Sequence, residues 1–159
     1  MDLEKRDIDF MREAIRLAKK AESLGEVPIG AIIVHDNKVI ARAYNTREKS
    51  QNALDHAEIK VIKKACEKLG TWRLNECTLY VTLEPCPMCS GAVIQSRVGR
   101  LVYGASDPKA GCTGSLMNLP ADTRFNHNPE IVTDVLGDEC GEMLTTFFRK
   151  IREKKKSSN

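Results

Sequence analysis

The sequence predicts a three-layer α/β/α fold, in which helices cover both faces of a central mixed sheet of about five strands. Segments with apolar residues at helical spacing alternate with short apolar runs rich in β-branched residues. The first two of these runs follow each other across a turn, whereas the later ones are separated by helical segments. This combination is typical of a mixed sheet covered by helices.

The first half of the chain predicts a helix, a β-hairpin and a second helix. Residues 7–24 place apolar side chains on one helical face and end before a glycine. The apolar runs 29–34 and 39–44 are joined by four polar residues, which indicates a hairpin. A second amphipathic helix is predicted over residues 56–69, again ending at a glycine.

The second half continues the alternation of strands and helices. Its predicted elements are a buried strand, a helix, a strand, a candidate last strand and a closing amphipathic helix: residues 79–82, 88–96, 101–103, 131–136 and 138–152. Loop signals dominate residues 107–129. Because no repeat or linker interrupts the pattern, we expect one domain over residues 1–152, followed by a basic tail at 153–159.

Composition restricts the class of protein. With 159 residues, 42% of them hydrophobic, the chain is long enough for one domain with a sizeable core. No apolar run approaches the length of a membrane span, and the charged N-terminus lacks the apolar core of a secretion signal. The six cysteines do not resemble a disulfide framework, which favours a reducing compartment. We therefore expect a cytoplasmic protein without a membrane segment.

Two short motifs supply three metal ligands and one unattached carboxylate. They are His56-Ala57-Glu58 and Pro85-Cys86-Pro87-Met88-Cys89. Structural zinc usually has four protein ligands, whereas catalytic zinc has three and leaves the fourth position to water. His-x-Glu followed by Pro-Cys-x-x-Cys is also the signature of zinc-dependent nucleobase deaminases. We therefore predict that His56, Cys86 and Cys89 bind Zn²⁺ and that Glu58 is catalytic.

The spacing of these residues predicts how they meet. His56 and Glu58 lie two apart, so they share a site only at a helix N-terminus, while Cys86 and Cys89 share the first turn of their own helix. Two helix dipoles would then stabilise thiolates and a zinc-bound hydroxide. Zinc lowers the pKa of its bound water to roughly 7, and Glu58 would carry the proton to a ring nitrogen and then to the departing amine.

Eight further segments carry a more specific similarity: residues 26–31, 56–59, 78–86, 88–92, 103–105, 114–118, 125–127 and 147–149. Through them nearly the whole chain resembles the bacterial tRNA-specific adenosine deaminases of the cytidine deaminase-like superfamily. The metal motif fits any member of that superfamily. The glycine-serine-leucine-methionine loop at 114–117 and the two phenylalanines before the basic tail are more selective.

This resemblance implies a cytidine deaminase-like fold, one Zn²⁺ per subunit, a homodimer, and conversion of adenosine to inosine at the wobble position of a tRNA anticodon loop. Asn45 and Asn126 match asparagines that contact the target nucleotide, and asparagine amides pair well with adenine edges. Asp107 and Lys109 match a loop that lines the anticodon path. The sequence departs from the family pattern at Leu54-Asp55 and Asn128.

The C-terminal segment carries most of the positive charge. The whole chain has a net charge of +3, while residues 149–159 contain six basic residues and one acidic residue, which leaves −2 for residues 1–148. Such a run is more often a solvated end than a binding element, but beside a site that modifies bases it favours phosphate contact. The expected RNA-binding residues here are Phe147, Phe148, Arg149 and Arg152.

Two alternatives remain open at this point. The first is an enzyme of the same fold that acts on a free base or nucleoside, such as guanine or cytosine, although such an enzyme has no need of the basic terminus. The second is a non-catalytic, zinc-stabilised RNA-binding module, which requires a fourth protein ligand and an idle Glu58.

Overall fold

The helices and strands follow the predicted order in the computed structural model, which describes residues 3–157. The helices are α1 (Leu3–Ser23), α2 (Arg47–Ser50), α3 (Ala57–Leu69), α4 (Pro87–Gln95) and α5 (Gly137–Ser157). The strands are β1 (Gly30–His35), β2 (Lys38–Tyr44), β3 (Cys77–Leu83), β4 (Arg100–Ala105) and β5 (Glu130–Val132). A short 3₁₀ turn, Leu119–Ala121, lies in the long loop between β4 and β5.

The five strands form one mixed sheet in the order β2-β1-β3-β4-β5. Strand β1 pairs antiparallel with both β2 and β3, whereas the β3–β4 and β4–β5 pairs are parallel. The predicted fold class is therefore confirmed. The carboxyl ends of β2, β3 and β4 and the beginning of β1 all meet at one edge of the sheet, so the loops at that edge share a common space.

The side chains of the sheet alternate between two apolar layers. On one face, α1 and α5 pack against Ile32, Tyr80 and Val102. On the other face, α3 and α4 pack against a cluster that includes Ile33 and Val81. This arrangement places the N-termini of α3 and α4 on one face of the sheet, beside the edge where β3 ends.

The structure corrects several predicted boundaries. The proposed strand at 131–136 ends at Val132, because Asp134 and Leu136 adopt left-handed backbone conformations (φ 61° and 55°) that a strand does not accommodate. Helix α5 extends past residue 152 to Ser157, through residues that favour helix and complement its C-terminal dipole. The short helix α2 was not predicted. Within residues 3–157, no helix has the length and apolar character that crossing a membrane requires.

Candidate active site

His56, Cys86 and Cys89 converge at the N-termini of α3 and α4. His56 is the N-cap of α3, Cys86 is the N-cap of α4, and Cys89 lies in the first turn of α4 after Pro87. The Sγ atoms of Cys86 and Cys89 each lie 3.6 Å from Nδ1 of His56. The sequence-based prediction that both ligand pairs meet at helix starts agrees with this geometry.

The three ligand atoms fit a tetrahedral zinc ion. All three lie within 4.8 Å of one another. Tetrahedral bonds of about 2.3 Å to sulfur and about 2.0 Å to nitrogen place the two ligand atoms roughly 3.5 Å apart, close to the observed separation. Among residues 3–157, no fourth histidine, cysteine or carboxylate joins the group. The donor set therefore has the three-ligand composition of a catalytic zinc site.

The surroundings of Cys86 favour its thiolate form. Its pKa is lowered to about 4, chiefly by the hydrogen bond from the Cys89 thiol and further by His56. Donating this hydrogen bond, together with burial, raises the pKa of Cys89. The hydrogen bond to Cys86 likewise raises the pKa of His56. A thiolate at neutral pH is the form of cysteine that binds metal.

Glu58 lies in the first turn of α3 and is buried beside the two cysteines. Burial raises the pKa of Glu58 to about 7, and the negative charge of Cys86 acts in the same direction. A carboxyl group with a pKa near neutrality both accepts and donates a proton readily at physiological pH. The carboxyl group is thus placed and tuned for proton transfer next to the candidate metal site.

A cleft of about 670 Å³ runs along the edge of the sheet and reaches the candidate metal site at His56. Its walls come from the segment before β1, the segment after β2, the loop after β4 and one face of α5. The cleft brings together six of the residues predicted from the sequence: Asn45, His56, Asp107, Lys109, Phe148 and Arg152. It is also lined by Arg47, Ser106 and Leu144, which the sequence-based prediction missed.

Asn45 is buried in the wall of the cleft and its side chain is held on both sides. Its Nδ2 donates to the carbonyl oxygen of Val27 (3.3 Å), and its Oδ1 accepts the backbone N–H of Arg47 (3.1 Å). The amide is therefore fixed in one orientation before any substrate binds, which is the property expected of a group that recognises a base.

Cys86, Cys89 and Glu58 lie behind His56 and do not line the cleft, and neither do three of the predicted substrate- and RNA-binding residues. Arg149 is exposed and Phe147 is half-buried, with its ring centroid 5.4 Å from that of Phe148. Helical spacing explains the separation, because Phe148 and Arg152 are four residues apart and share one face of α5, while their neighbours point elsewhere. Asn126 is exposed in the long loop before β5. Its assignment as a substrate contact stays a prediction.

The two departures from the family pattern contribute to loop structure. Nδ2 of Asn128 donates to the carbonyl oxygens of Pro120 and Asp122, both at 2.9 Å, and so closes the loop around the 3₁₀ turn. The carbonyl oxygen of Asp55 accepts the backbone N–H of Thr46 (3.2 Å), beside the short helix α2.

Two buried carboxylates hold the walls of the cleft. Glu26 accepts the backbone N–H groups of Glu48 (3.0 Å) and Lys49 (2.7 Å) at the start of α2. Glu84 accepts backbone N–H groups from the loop after β4. Neither residue was assigned a role from the sequence. The available signal was an acidic residue close to the end of an apolar segment, where a buried charge requires several hydrogen-bond donors.

The chain is similar in sequence to known deaminases. Residues 5–152 match the model of the MafB19-like deaminase family. A tRNA-specific adenosine deaminase of Bacillus subtilis is 60% identical over 149 residues, which cover 94% of this chain and 92% of that protein. A tRNA-specific adenosine deaminase of Haemophilus influenzae is 45% identical over 151 residues, which cover 94% of this chain and 87% of that protein.

Solved structures show the same relationship. A structure from a study of A-to-I editing by tRNA:A34 deaminases at the wobble position of transfer RNA matches with a TM-score of 0.82 and 43% identity, over 86% of this chain and 99% of that chain. A guanine deaminase from Bacillus subtilis matches with a TM-score of 0.61 and 38% identity, over 67% of this chain and 66% of that chain. The overall architecture is thus shared more fully with the first structure than with the second.

Proposed function

Because the chain belongs to the family of tRNA-specific adenosine deaminases, we propose that it converts adenosine to inosine at the wobble position of a tRNA anticodon loop. In this reaction the oxygen of water bonds to C6 of adenine, the bond between C6 and the amino nitrogen breaks, and ammonia leaves. The observation that carries the proposal is the buried Glu58 beside a three-ligand cluster whose His56 lines a cleft of nucleotide size.

His56, Cys86 and Cys89 would hold one Zn²⁺ per subunit, since their ligand atoms have suitable chemistry and separation. When bound, zinc would supply the Lewis acidity that makes water a nucleophile at neutral pH.

Glu58 moves the protons of the reaction. Its carboxylate accepts one proton from the attacking water and delivers it to N1 of the adenine ring. It then takes the second proton from the hydroxyl group now bonded to C6 and transfers it to the departing amino group, so that a C6 carbonyl forms as ammonia leaves. The raised pKa of Glu58, about 7 as a result of burial, suits both halves of this cycle. Burial also excludes bulk water from competing for the proton.

The cleft residues position the nucleotide. The fixed amide of Asn45 belongs to a residue that lines the same cleft as His56, and it would offer hydrogen bonds to the base. The ring of Phe148 provides a surface on which an unstacked base of the anticodon loop stacks. Arg47, Lys109 and Arg152 supply positive charge along the same cleft for RNA phosphates.

These features favour the RNA enzyme over both alternatives. The three basic side chains along the cleft have no function toward a free base such as guanine. A non-catalytic zinc module needs a fourth protein ligand, and in the part of the chain that the structure describes the cluster has three. Such a module also gives no reason to bury the charge of Glu58.

The test is to incubate the purified protein with total tRNA and to sequence the RNA for inosine, with guanine and free nucleosides in parallel reactions. We expect inosine at the wobble position and no turnover of the free compounds. Glu58→Gln should retain zinc and lose inosine formation. Glu67→Gln, the same substitution at an exposed position of α3, is the matched control and should stay active. Deamination of guanine without tRNA editing would overturn the proposal.

We further propose that two copies of the chain form a homodimer in the cytoplasm, where tRNA is edited. Leu116, Met117 and Phe125 are exposed on either side of the 3₁₀ turn, which packs against α4, and a second copy would cover these side chains. Light scattering of the purified protein should give twice the mass of one chain, and Met117→Glu should reduce it. A monomer at micromolar concentration would contradict the dimer.

A further inference from the structure

We propose that Glu84 is a positioning residue for RNA binding, which holds the 107–115 loop against the end of β3 and thereby places Asp107 and Lys109 at the cleft. This inference rests on the proposed function, because it concerns how the same cleft is shaped for its substrate. Glu84 itself does not line the cleft; it acts through the loop that does.

A single carboxylate accepts four hydrogen bonds from this loop. Oε1 of Glu84 accepts the backbone N–H of Asp107 (3.0 Å) and the hydroxyl of Ser115. Oε2 accepts the backbone N–H groups of Thr113 (3.0 Å) and Ser115 (2.9 Å). The donors come from both ends of the loop, so the carboxylate of Glu84 links the two ends.

The loop approaches the carboxylate so closely that a glycine is required. A Cβ atom at position 111 would overlap Cδ and Oε2 of Glu84 and crowd the carbonyl oxygen of Asp107. Gly111 has no unusual backbone angle that would otherwise demand glycine. Contact with Glu84 and Asp107 is therefore the reason for glycine at this position, and it gives independent evidence that the loop is built around the carboxylate.

The position of the loop is transmitted to the residues that face the substrate. Once its N–H is bound by Glu84, Asp107 accepts the N–H groups of Lys109 (3.1 Å) and Ala110 (3.2 Å) on its own Oδ1. This turn directs Lys109 along the cleft. The same strand end supports the metal ligands, because Pro85, between Glu84 and Cys86, accepts the N–H of Cys112 on its carbonyl oxygen (2.8 Å).

The arrangement requires a side chain with acceptors only. All four groups that contact the carboxyl oxygens of Glu84 are hydrogen-bond donors. A glutamine has the same shape, but its amino group would face N–H donors that it cannot bind.

The experiment compares Glu84→Gln with the wild-type chain on an anticodon stem-loop RNA. We expect KM and the equilibrium Kd for the RNA to rise about tenfold, which corresponds to ~1.4 kcal/mol, while kcat stays within about twofold. Zinc content should be unchanged. Hydrogen exchange of the amides at 107, 113 and 115 should accelerate, because these N–H groups lose their acceptor.

Gly111→Ala tests the same contact without changing a charge, and it should raise KM and Kd in the same way. Asp7→Asn is the control for lost stability, since it removes another buried carboxylate whose partners, Tyr80 and Arg100, do not line the cleft. It should leave KM and Kd unchanged.

A fall in kcat at constant KM in both Glu84→Gln and Gly111→Ala would overturn the role of Glu84. Wild-type exchange rates of the three amides in Glu84→Gln would overturn it as well. A wild-type chain that binds the RNA but forms no inosine would refute the proposed function instead. In that case the ratio of the Kd values of Glu84→Gln and wild type, and their amide exchange rates, still decide the role of Glu84.

Discussion

Asp7→Asn should destabilise the fold without affecting the site. Asp7 lies on α1, and its carboxylate accepts two hydrogen bonds from the guanidinium of Arg100 (2.7 and 2.6 Å) and one from the hydroxyl of Tyr80 (2.7 Å). The side chains of Asp7 and Arg100 are only 5% and 13% exposed. The pair therefore joins the first helix to β3 and β4 in a nearly dry environment.

The expected loss of unfolding free energy follows from the buried charge of Arg100, which the substitution leaves without its partner. Removing one partner of a buried ion pair costs about 3–5 kcal/mol, because the other charge remains buried. Here Nε of Arg100 also lies 3.3 Å from the carboxylate of Glu130, which is exposed and partly compensates the charge. We therefore expect the lower end, ~3 kcal/mol of unfolding free energy, which for a chain of this length lowers Tm by about 6–12 °C.

The measurement is urea-induced unfolding followed by circular dichroism at several pH values. Burial acts to raise the pKa of Asp7, but the hydrogen bonds from Arg100 and Tyr80 prevail and lower it. A carboxyl group with a lowered folded pKa stabilises the fold fully above its unfolded pKa, about 3.9, and this stabilisation is lost as the pH falls through the folded pKa. The difference between wild type and variant should thus be constant from pH 5 to 8 and shrink below pH 4.

Two results would refute this reasoning. A loss of stability below about 1 kcal/mol would mean that the charge of Arg100 is not left buried and unpaired in the variant. A difference that persists undiminished at pH 3 would mean that the charge of Asp7 is not its cause. In both cases kcat and KM serve as the reference, because neither partner lines the cleft.

Four further outcomes are expected. Cys86→Ser should reduce bound zinc well below one per chain, as metal analysis of the purified protein would show. Glu26→Gln should lower Tm by several degrees and raise KM, since the start of α2 loses its buried acceptor. An unchanged KM would show that the position of α2 does not affect substrate binding in the cleft. Gly30→Ala should destabilise by about 3 kcal/mol or more in urea unfolding, because its Cβ would overlap the Ala14 carbonyl oxygen. Ending the chain after Phe148 should weaken RNA binding and flatten its dependence on salt in filter-binding titrations, and an unaltered slope would exclude phosphate contacts from the basic end of α5.

The sequence was sufficient for features that depend on local spacing. Apolar periodicity located the helices and strands, and the two metal motifs identified the ligand cluster, because residues at the start of a helix have defined positions relative to its axis. The same spacing placed Glu58 beside His56 at the start of α3. These assignments needed no knowledge of how distant segments pack, whereas the meeting of Glu58 with the cysteines of α4 depends on the fold.

Other features depend on contacts between distant segments, which local spacing does not encode. Only the sheet order brings Asn45, Asp107 and α5 to one edge, and only the orientation of α5 shows that Phe148, and not Phe147, lines the cleft. The role proposed for Glu84 depends on donors 23 to 31 residues away. A buried charge holds the structure together only when the fold brings hydrogen-bond donors from distant segments to it. Tertiary structure therefore decides which charges have such a role.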